Sequence, residues 1–525
     1  MATNNELEKR MVHRAIVERV IVRGKLVLQS PAHFGGAEAD ALTDMPVLLN
    51  EVDGNPLLPG TSIAGALRNY LREFEAGDWV SIPRVDKEKN ADEQTSEVKD
   101  ERNRAATLLF GAFRGDDEGE QSLLIVEDAV GSLSEFELRD GVSIDASTRT
   151  AKDDQKFDIQ LLGAGTSFPL QFELIIRKGD SRDDLLKALA TALKGFEDEA
   201  ITLGMRKRRG FGKCKVTGWE VTSYNLKDKQ GLLDWLVSER SWKKEAPPTR
   251  KLIMEALSVS KLHDDARNRA TLKATFGIDG TLLIRSGFGD LDARADTVHL
   301  HATRKDNDSV AVIPGTSWAG ILRHRALKIA RTLSDDRQKL DKDKKPVFDR
   351  NGKPVPEVQD FIDSLFGPSE IKEKKTFDEE PDPVKASRIS IEESEVKKAE
   401  SLEITRVAID RFTGGAYEGA LFTEQPLVGT EDSEVELVLT LRNPENADVG
   451  LLLLLLKDLW TGDLPIGGES GVGRGRLHGR EASLKLGEDE WSIKENPDGS
   501  LQLPSDAKQL EDFVIDFNKQ MGVAK

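Results

Sequence analysis

The chain has a single cysteine, Cys214, in 525 residues, which excludes a disulfide framework and a cysteine-based zinc site. It has no long apolar run. The leucines at 451–456 number six, against the roughly 18 apolar residues a membrane-crossing helix needs. The first residues, MATNNELEKRMVHR, lack an apolar signal core, so no membrane partner is expected and a cytoplasmic location is. Basic residues are in deficit, 75 against 93 acidic, for a net charge of −18. A freestanding, non-specific nucleic-acid binder is usually basic, so any RNA contact must use local patches. Charged residues at 32% beside hydrophobic residues at 38% describe a heavily charged globular chain rather than a disordered one.

Against these absences stands a repeat. The pattern Pro-Gly-Thr-Ser-x-Ala-Gly-x-Leu-Arg fills residues 59–68 and returns 255 residues later at 314–323, with eight of ten positions identical. Other landmarks follow collinearly. Residues 24–30, GKLVLQS, match 280–286, GTLLIRS, and Leu109-Phe110-Gly111 matches Leu365-Phe366-Gly367. Val142-Ser143-Ile144-Asp145 matches Val407-Ala408-Ile409-Asp410, with Thr148 and Phe157 answering Thr413 and Phe422. Gly210-Phe211-Gly212-Lys213 matches Gly471-Val472-Gly473-Arg474. A period of domain length means duplication and fusion of one domain.

The expected division is a first domain over 1–225, a connector over 226–270 that holds Pro247-Pro248, a second domain over 271–485, and a tail over 486–525 ending in a short amphipathic helix. The charged stretches 86–104, 334–356 and 371–385 are expected as exposed insertions. Each half reads strand, loop, helix, then several strands with glycine-rich turns. That order predicts an α+β fold, an antiparallel sheet with helices on one face, with ferredoxin-like topology leading.

The repeated pattern puts Pro59-Gly60 in a turn and Thr61 or Ser62 at a helix N-cap, with Thr316 and Ser317 as counterparts. Free N–H groups, two hydroxyls, and Arg68 or Arg323 two turns on make an arrangement suited to phosphate. No Gly-Lys-Ser/Thr follows, so it is not a P-loop. Arg206, Lys207 and Arg209, with Gly210, Gly212 and Lys213, form a basic glycine-rich loop; its counterpart contains Gly471, Gly473, Arg474 and Arg476. Glycine lets backbones approach, and Arg or Lys neutralises phosphate without reading sequence. A charge run is usually a solvated face, but recurrence in a glycine-rich loop favours contact with RNA.

The sequence of a glycine-containing loop, Asp-x-Pro-Val, the Pro-Gly-Thr-Ser helix, Ile-Asp-Arg-x-Thr-Gly-x-Ala and a late glycine-rich loop resembles the RAMP superfamily. More narrowly it is similar to backbone subunits of type III CRISPR effector complexes. The match at VAIDRFTGGAYEGALF, 407–422, is the most specific; after Ile144-Asp145 the first half departs from it. The resemblance implies two tandem RRM-like domains gripping a CRISPR guide RNA, with other type III effector subunits as partners. It also implies thumb segments at 147–161 and 412–427 that interrupt pairing with a complementary target RNA. Sequence would be read by base pairing.

By the same resemblance, target RNA is cut by a loop aspartate and a divalent metal, Mg²⁺ or Mn²⁺. Asp44, in Asp44-Met45-Pro46-Val47, takes that place; in the second half Asp296 is the best counterpart, with Asp290 and Asp292 competing, on a loop read as the shorter one. His33 could orient the phosphate or act as base. Phe34 and Trp318 could stack on bases, although core packing is the commoner fate of such a tryptophan. Two other functions fit the pattern: a non-catalytic guide-binding scaffold, and a metal-independent ribonuclease processing precursor guides.

Overall fold

The computed structural model describes residues 15–36, 43–78, 83, 95–113, 116, 120–145, 150–238, 251–286, 295–304, 308–335, 337, 358–368, 386–496, 498, 500–502, 504 and 506–523. In chain order the first half runs β1 (Ile16–Leu28), α1 (Gly60–Ala76), β2 (Leu124–Val126), a hairpin of β3 (Phe136–Ile144) and β4 (Ala151–Leu162), β5 (Ser167–Arg177), α2 (Arg182–Glu197) and β6 (Cys214–Asn225). The sheet order is β2-β5-β1-β6, all antiparallel, which makes a βαββαβ ferredoxin-like unit. Alternation along β1 sends Val20, Val22, Leu26 and Leu28 into one core with Ile63, Leu67 and Leu71 of α1 and Leu189 and Leu193 of α2.

The second half repeats this with β7 (Arg269–Asp279), α3 (Gly315–Leu333), β8 (Ile389–Ile391), a hairpin of β9 (Ile404–Ile409) and β10 (Ala416–Gln425), β11 (Glu434–Arg442), α4 (Asn446–Trp460) and β12 (Arg476–Leu486). Its central order is β8-β11-β7-β12. The six leucines lie in α4, apolar nearly all round because the sheet covers one side and a tail helix, α5 (Ala507–Gln520), the other.

The structure changes three readings. The strand that matches β1 ends before Gly280: Leu28 pairs with Cys214 as Ile278 pairs with Leu477, so the pairing of 24–30 with 280–286 was six residues out. Any short alternating run fits a strand, and a slide by an even number of residues leaves the alternation unchanged. The glycine loops were two residues out. Gly212 and Gly475 each press on a carbonyl, Leu203 O and Ile466 O, so Gly210-Phe211-Gly212-Lys213 corresponds to Gly473-Arg474-Gly475-Arg476. Part of the first charged insertion, Ser96–Asn103, is a helix whose Glu101 is buried, because Arg72 and Arg104 both bond its carboxylate. Residues 84–94, 338–357 and 369–385, the rest of the charged insertions, lie outside the described residues.

The two halves join through the first glycine-rich loop. The Arg208 guanidinium donates to Ser387 O, Arg209 Nη2 to Phe366 O at 3.0 Å, and Lys213 pairs with Glu392 at 3.1 Å. Arg139, at the root of the first hairpin, pairs with the buried Glu393, which also takes Arg304 at 3.2 Å. A Cβ on Gly315 would sit 2.4 Å from Arg209 O, so the second helix can start there only with glycine.

Candidate RNA interface

Each half carries one aspartate in the same setting. Asp44 Oδ2 accepts the backbone N–H of Asp158 in β4 at 2.9 Å, and Met45 bridges Ile159 in parallel register. Asp296 Oδ2 accepts the N–H of Thr423 in β10 at 2.8 Å, and Thr297 pairs with Glu424 in the same parallel sense. Both carboxylates are exposed at the root of a projecting hairpin. Asp296 is therefore the geometric counterpart of Asp44; Asp290 and Asp292 lie outside the described residues. With the strands correctly aligned, the loop before Asp296 is longer than that before Asp44, reversing the expectation from sequence.

The hairpins themselves differ at their roots. Across the first, Asp140 faces Asp158, and the hydrogen bond between them, then burial, pushes the Asp158 carboxyl above its ordinary range; Asp44 adds to the effect. In the second half the same pair is Thr405 and Thr423, whose hydroxyls lie 3.3 Å apart. The first site thus gathers three carboxyls where the second has one and two hydroxyls. Sequence reasoning missed Asp140 and Asp158, which become neighbours only through hairpin register. The hairpins project apolar side chains into solvent: Val142 and Ile144 on the first, and Phe412 (89% exposed), Tyr417 and Leu421 on the second. Asp410 shapes the second tip by accepting the N–H groups of Phe412 and Thr413. Residues 146–149 of the first thumb lie outside the described residues.

The helix reading is corrected in detail. Pro59 and Pro314 are the N-caps, so Thr61, Ser62, Thr316 and Ser317 stand inside the first turn rather than at the cap. The Gly60 N–H is taken by Asp128 at 2.6 Å, so that helix end already has its anion. What is open is the side of the helix: Thr61, Ser62 and Gly65 on α1, and Thr316 and Gly320 on α3, are exposed, and a Cβ on either Gly65 or Gly320 would meet nothing within 4 Å.

The arginines are mostly engaged within the chain, contrary to their expected use on phosphate. Arg68 Nη2 donates to Gly111 O and Ala112 O, and Arg323 donates to Gly367 O and Asp363; each ties the repeated helix to the repeated Leu-Phe-Gly. Arg206 lies over the Phe157 ring at 4.6 Å, Arg209 crosses to the second half, and Arg474 is buried against Glu424. Of the expected cations, Lys207 and Arg476 are exposed.

His33 is buried, 4% exposed, and its Nδ1–H donates to Gln160 O at 2.9 Å. It holds β4 two residues from the amide that binds Asp44, and its ring lies in the interior rather than at the surface where the sequence reading puts it. Phe34 and Trp318 are core residues, Trp318 donating its indole N–H to Ser394 Oγ at 3.0 Å. A buried histidine with a stronger chemical mark is His299. Its Nδ1 accepts the Ile284 N–H at 3.2 Å and its Nε2–H donates to Val312 O at 3.1 Å. Burial, then the neighbouring His301, pushes its pKa down to about 4. A depressed base pKa gives stability that is present above the unfolded value of about 6.5 and drains away as pH falls toward 4. His299→Gln, which can accept and donate at the same places, should flatten that part of the thermal midpoint's pH dependence between pH 7 and 4. An unchanged profile would mean His299 does not stay neutral.

A βαββαβ sheet made twice, each copy with an exposed hairpin over a loop carboxylate, defines a tandem RRM-like protein. The RAMP superfamily model matches residues 25–215 and 280–478, most of the chain, and the chain belongs to that superfamily of CRISPR-associated RNA-binding proteins. No curated protein matches it. Among the described residues no helix is long and apolar enough to cross a membrane.

Proposed function

We propose that this chain is a tandem backbone subunit of a type III CRISPR effector complex that holds guide RNA and cleaves complementary target RNA beside Asp44 and Asp296. The observation that carries the reading is the shared setting of the two aspartates, each exposed and fixed by a backbone N–H at the root of a hairpin whose apolar side chains stand in solvent. Guide RNA lies along the open sides of α1 and α3, where the hydroxyls of Thr61, Ser62 and Thr316 and the charges of Lys207 and Arg476 meet phosphate. The hairpins wedge the guide–target duplex open, so that a displaced target nucleotide and its 2′-OH lie over each aspartate.

Asp44 and Asp296 are the residues that would hold a Mg²⁺ or Mn²⁺ ion. Among the described residues no three His, Cys, Asp or Glu side chains are grouped to hold a metal alone. That fits a magnesium-like ion, which takes one or two carboxylates and fills its shell with water and substrate phosphate. The first site, where Asp140 and Asp158 face each other beside Asp44 with only the exposed Lys156 ammonium near them, fits better than the second. When bound, such an ion would supply positive charge to the phosphate; in the reaction the 2′-OH loses its proton to solvent and its oxygen bonds to phosphorus while the P–O5′ bond breaks, leaving a 2′,3′-cyclic phosphate and a 5′-hydroxyl. The aspartates fix that position, and the hairpins exclude competing geometry.

The test uses complexes assembled on one guide. Cleavage of the paired target should stop in excess EDTA and return with Mn²⁺. Cleavage of precursor guide undiminished in EDTA would instead establish the processing ribonuclease, and a complex that binds target but never cuts would establish the scaffold.

A further inference from the structure

Behind Asp296 lies a cluster of charges, Glu424 and Arg474 buried at its centre, where the first half has apolar side chains. Glu424 on β10 is fully buried; its carboxylate takes Arg474 Nη2 at 2.7 Å and Arg406 Nε at 3.3 Å. Glu469 takes Arg474 at 2.9 Å, Arg406 at 3.2 Å and Arg285 at 2.6 Å. These five side chains come from the loop entering the site, both hairpin strands and the glycine-rich loop. Glu424 also pairs by backbone with Thr297 and directly follows Thr423, whose N–H fixes Asp296. In the first half, Glu424 and Arg474 correspond to Ile159 and Phe211, which form an apolar cluster packed by Met45 and Phe157.

We infer that Glu424 is the positioning residue of the second site, its ion pair with Arg474 locking hairpin and glycine-rich loop together as the Ile159–Phe211 contact does in the first. The inference rests on reading Asp296 as the second cleavage carboxylate. Without Glu424 the buried Arg474 keeps Glu469 but loses its tie to β10 and borders a cavity, whereas replacing both Glu424 and Arg474 with apolar residues leaves a packed contact between hairpin and loop. The geometry therefore makes opposite predictions for single and double substitutions.

The experiment uses the full chain assembled on guide RNA, with two readouts: cut positions on one target, and hydrogen exchange of the Thr423 and Asp158 amides. Glu424→Ala should speed exchange at Thr423 by about tenfold or more and weaken the cut at Asp296 correspondingly, with Asp158 and the first cut as internal controls. Glu424→Ile combined with Arg474→Phe should restore both, and Glu424→Gln should fall between. Unchanged Thr423 exchange in Glu424→Ala overturns the inference. So does a folded double variant, with the wild-type melting temperature, that remains as impaired as the single one. If the wild-type complex never cuts at Asp296, the cleavage reading fails, and amide exchange alone still decides the positioning role.

Discussion

Alanine at Asp44 is expected to remove one cut from the target ladder and leave the other, with guide binding and assembly intact. The loss at that position should be roughly 10²-fold or more, the scale of a group acting directly at a reacting centre. Asp44 is exposed and its one described bond is to a backbone N–H, so the truncation opens no cavity and strands no buried partner. Asp296→Ala should do the same to the second cut. The two halves then separate on chemistry: beside Asp44 stand Asp140 and Asp158, and beside Asp296 stand Thr405 and Thr423. The second cut should therefore need more divalent metal. Replacing both Thr405 and Thr423 with Asp should lower that requirement toward the first site's. Mapping cut ends over a Mg²⁺ titration reads all of this in one lane set. If Asp296→Ala deletes nothing at saturating metal, the second half only binds RNA; if Asp44→Ala deletes nothing, the chain is a scaffold.

The duplication and the fold were legible in the sequence because the repeated pattern is long and its residues are chemically distinctive, and the two aspartates named from it occupy equivalent places. In sequence Asp296 ranks above Asp290 and Asp292 on the likeness of Asp296-Thr297-Val298 to Asp44-Met45-Pro46-Val47, in which a valine follows two or three residues on. What escaped was anything set by register. Asp140 and Asp158 meet only across a hairpin, and Glu424 and Arg474 only where a strand passes a glycine-rich loop. The charges were misread for a related reason. Arg68 and Arg323 recur because each closes the end of a neighbouring helix, a duty as well kept by duplication as phosphate binding. Two of the four residues of the basic run at 206–209, Arg208 and Arg209, join the two halves, a duty that its counterpart, Glu469 to Val472, does not have.

Leucine at Gly65 and Gly320 is expected to weaken guide RNA binding while leaving the protein at least as stable. Glycine inside a helix costs about 1 kcal/mol relative to alanine, so two exposed helical glycines at matching positions need a reason. Internal packing is not the reason, since a Cβ at either would meet nothing within 4 Å. The open flanks of α1 and α3, with Thr61, Ser62 and Thr316 beside them, are where an RNA backbone can come closest to a helix backbone. A side chain forced into such a contact costs about 1–3 kcal/mol, so each leucine should reduce guide affinity by roughly tenfold. Gly65→Ala and Gly320→Ala should raise the melting temperature and weaken binding less, a pair of opposite signs that a mere folding defect cannot produce. Guide dissociation constants at fixed salt and thermal melts of the RNA-free chain measure the two effects separately. If the double leucine variant binds guide RNA as tightly as the wild type, these flanks do not carry the RNA and the groove lies elsewhere.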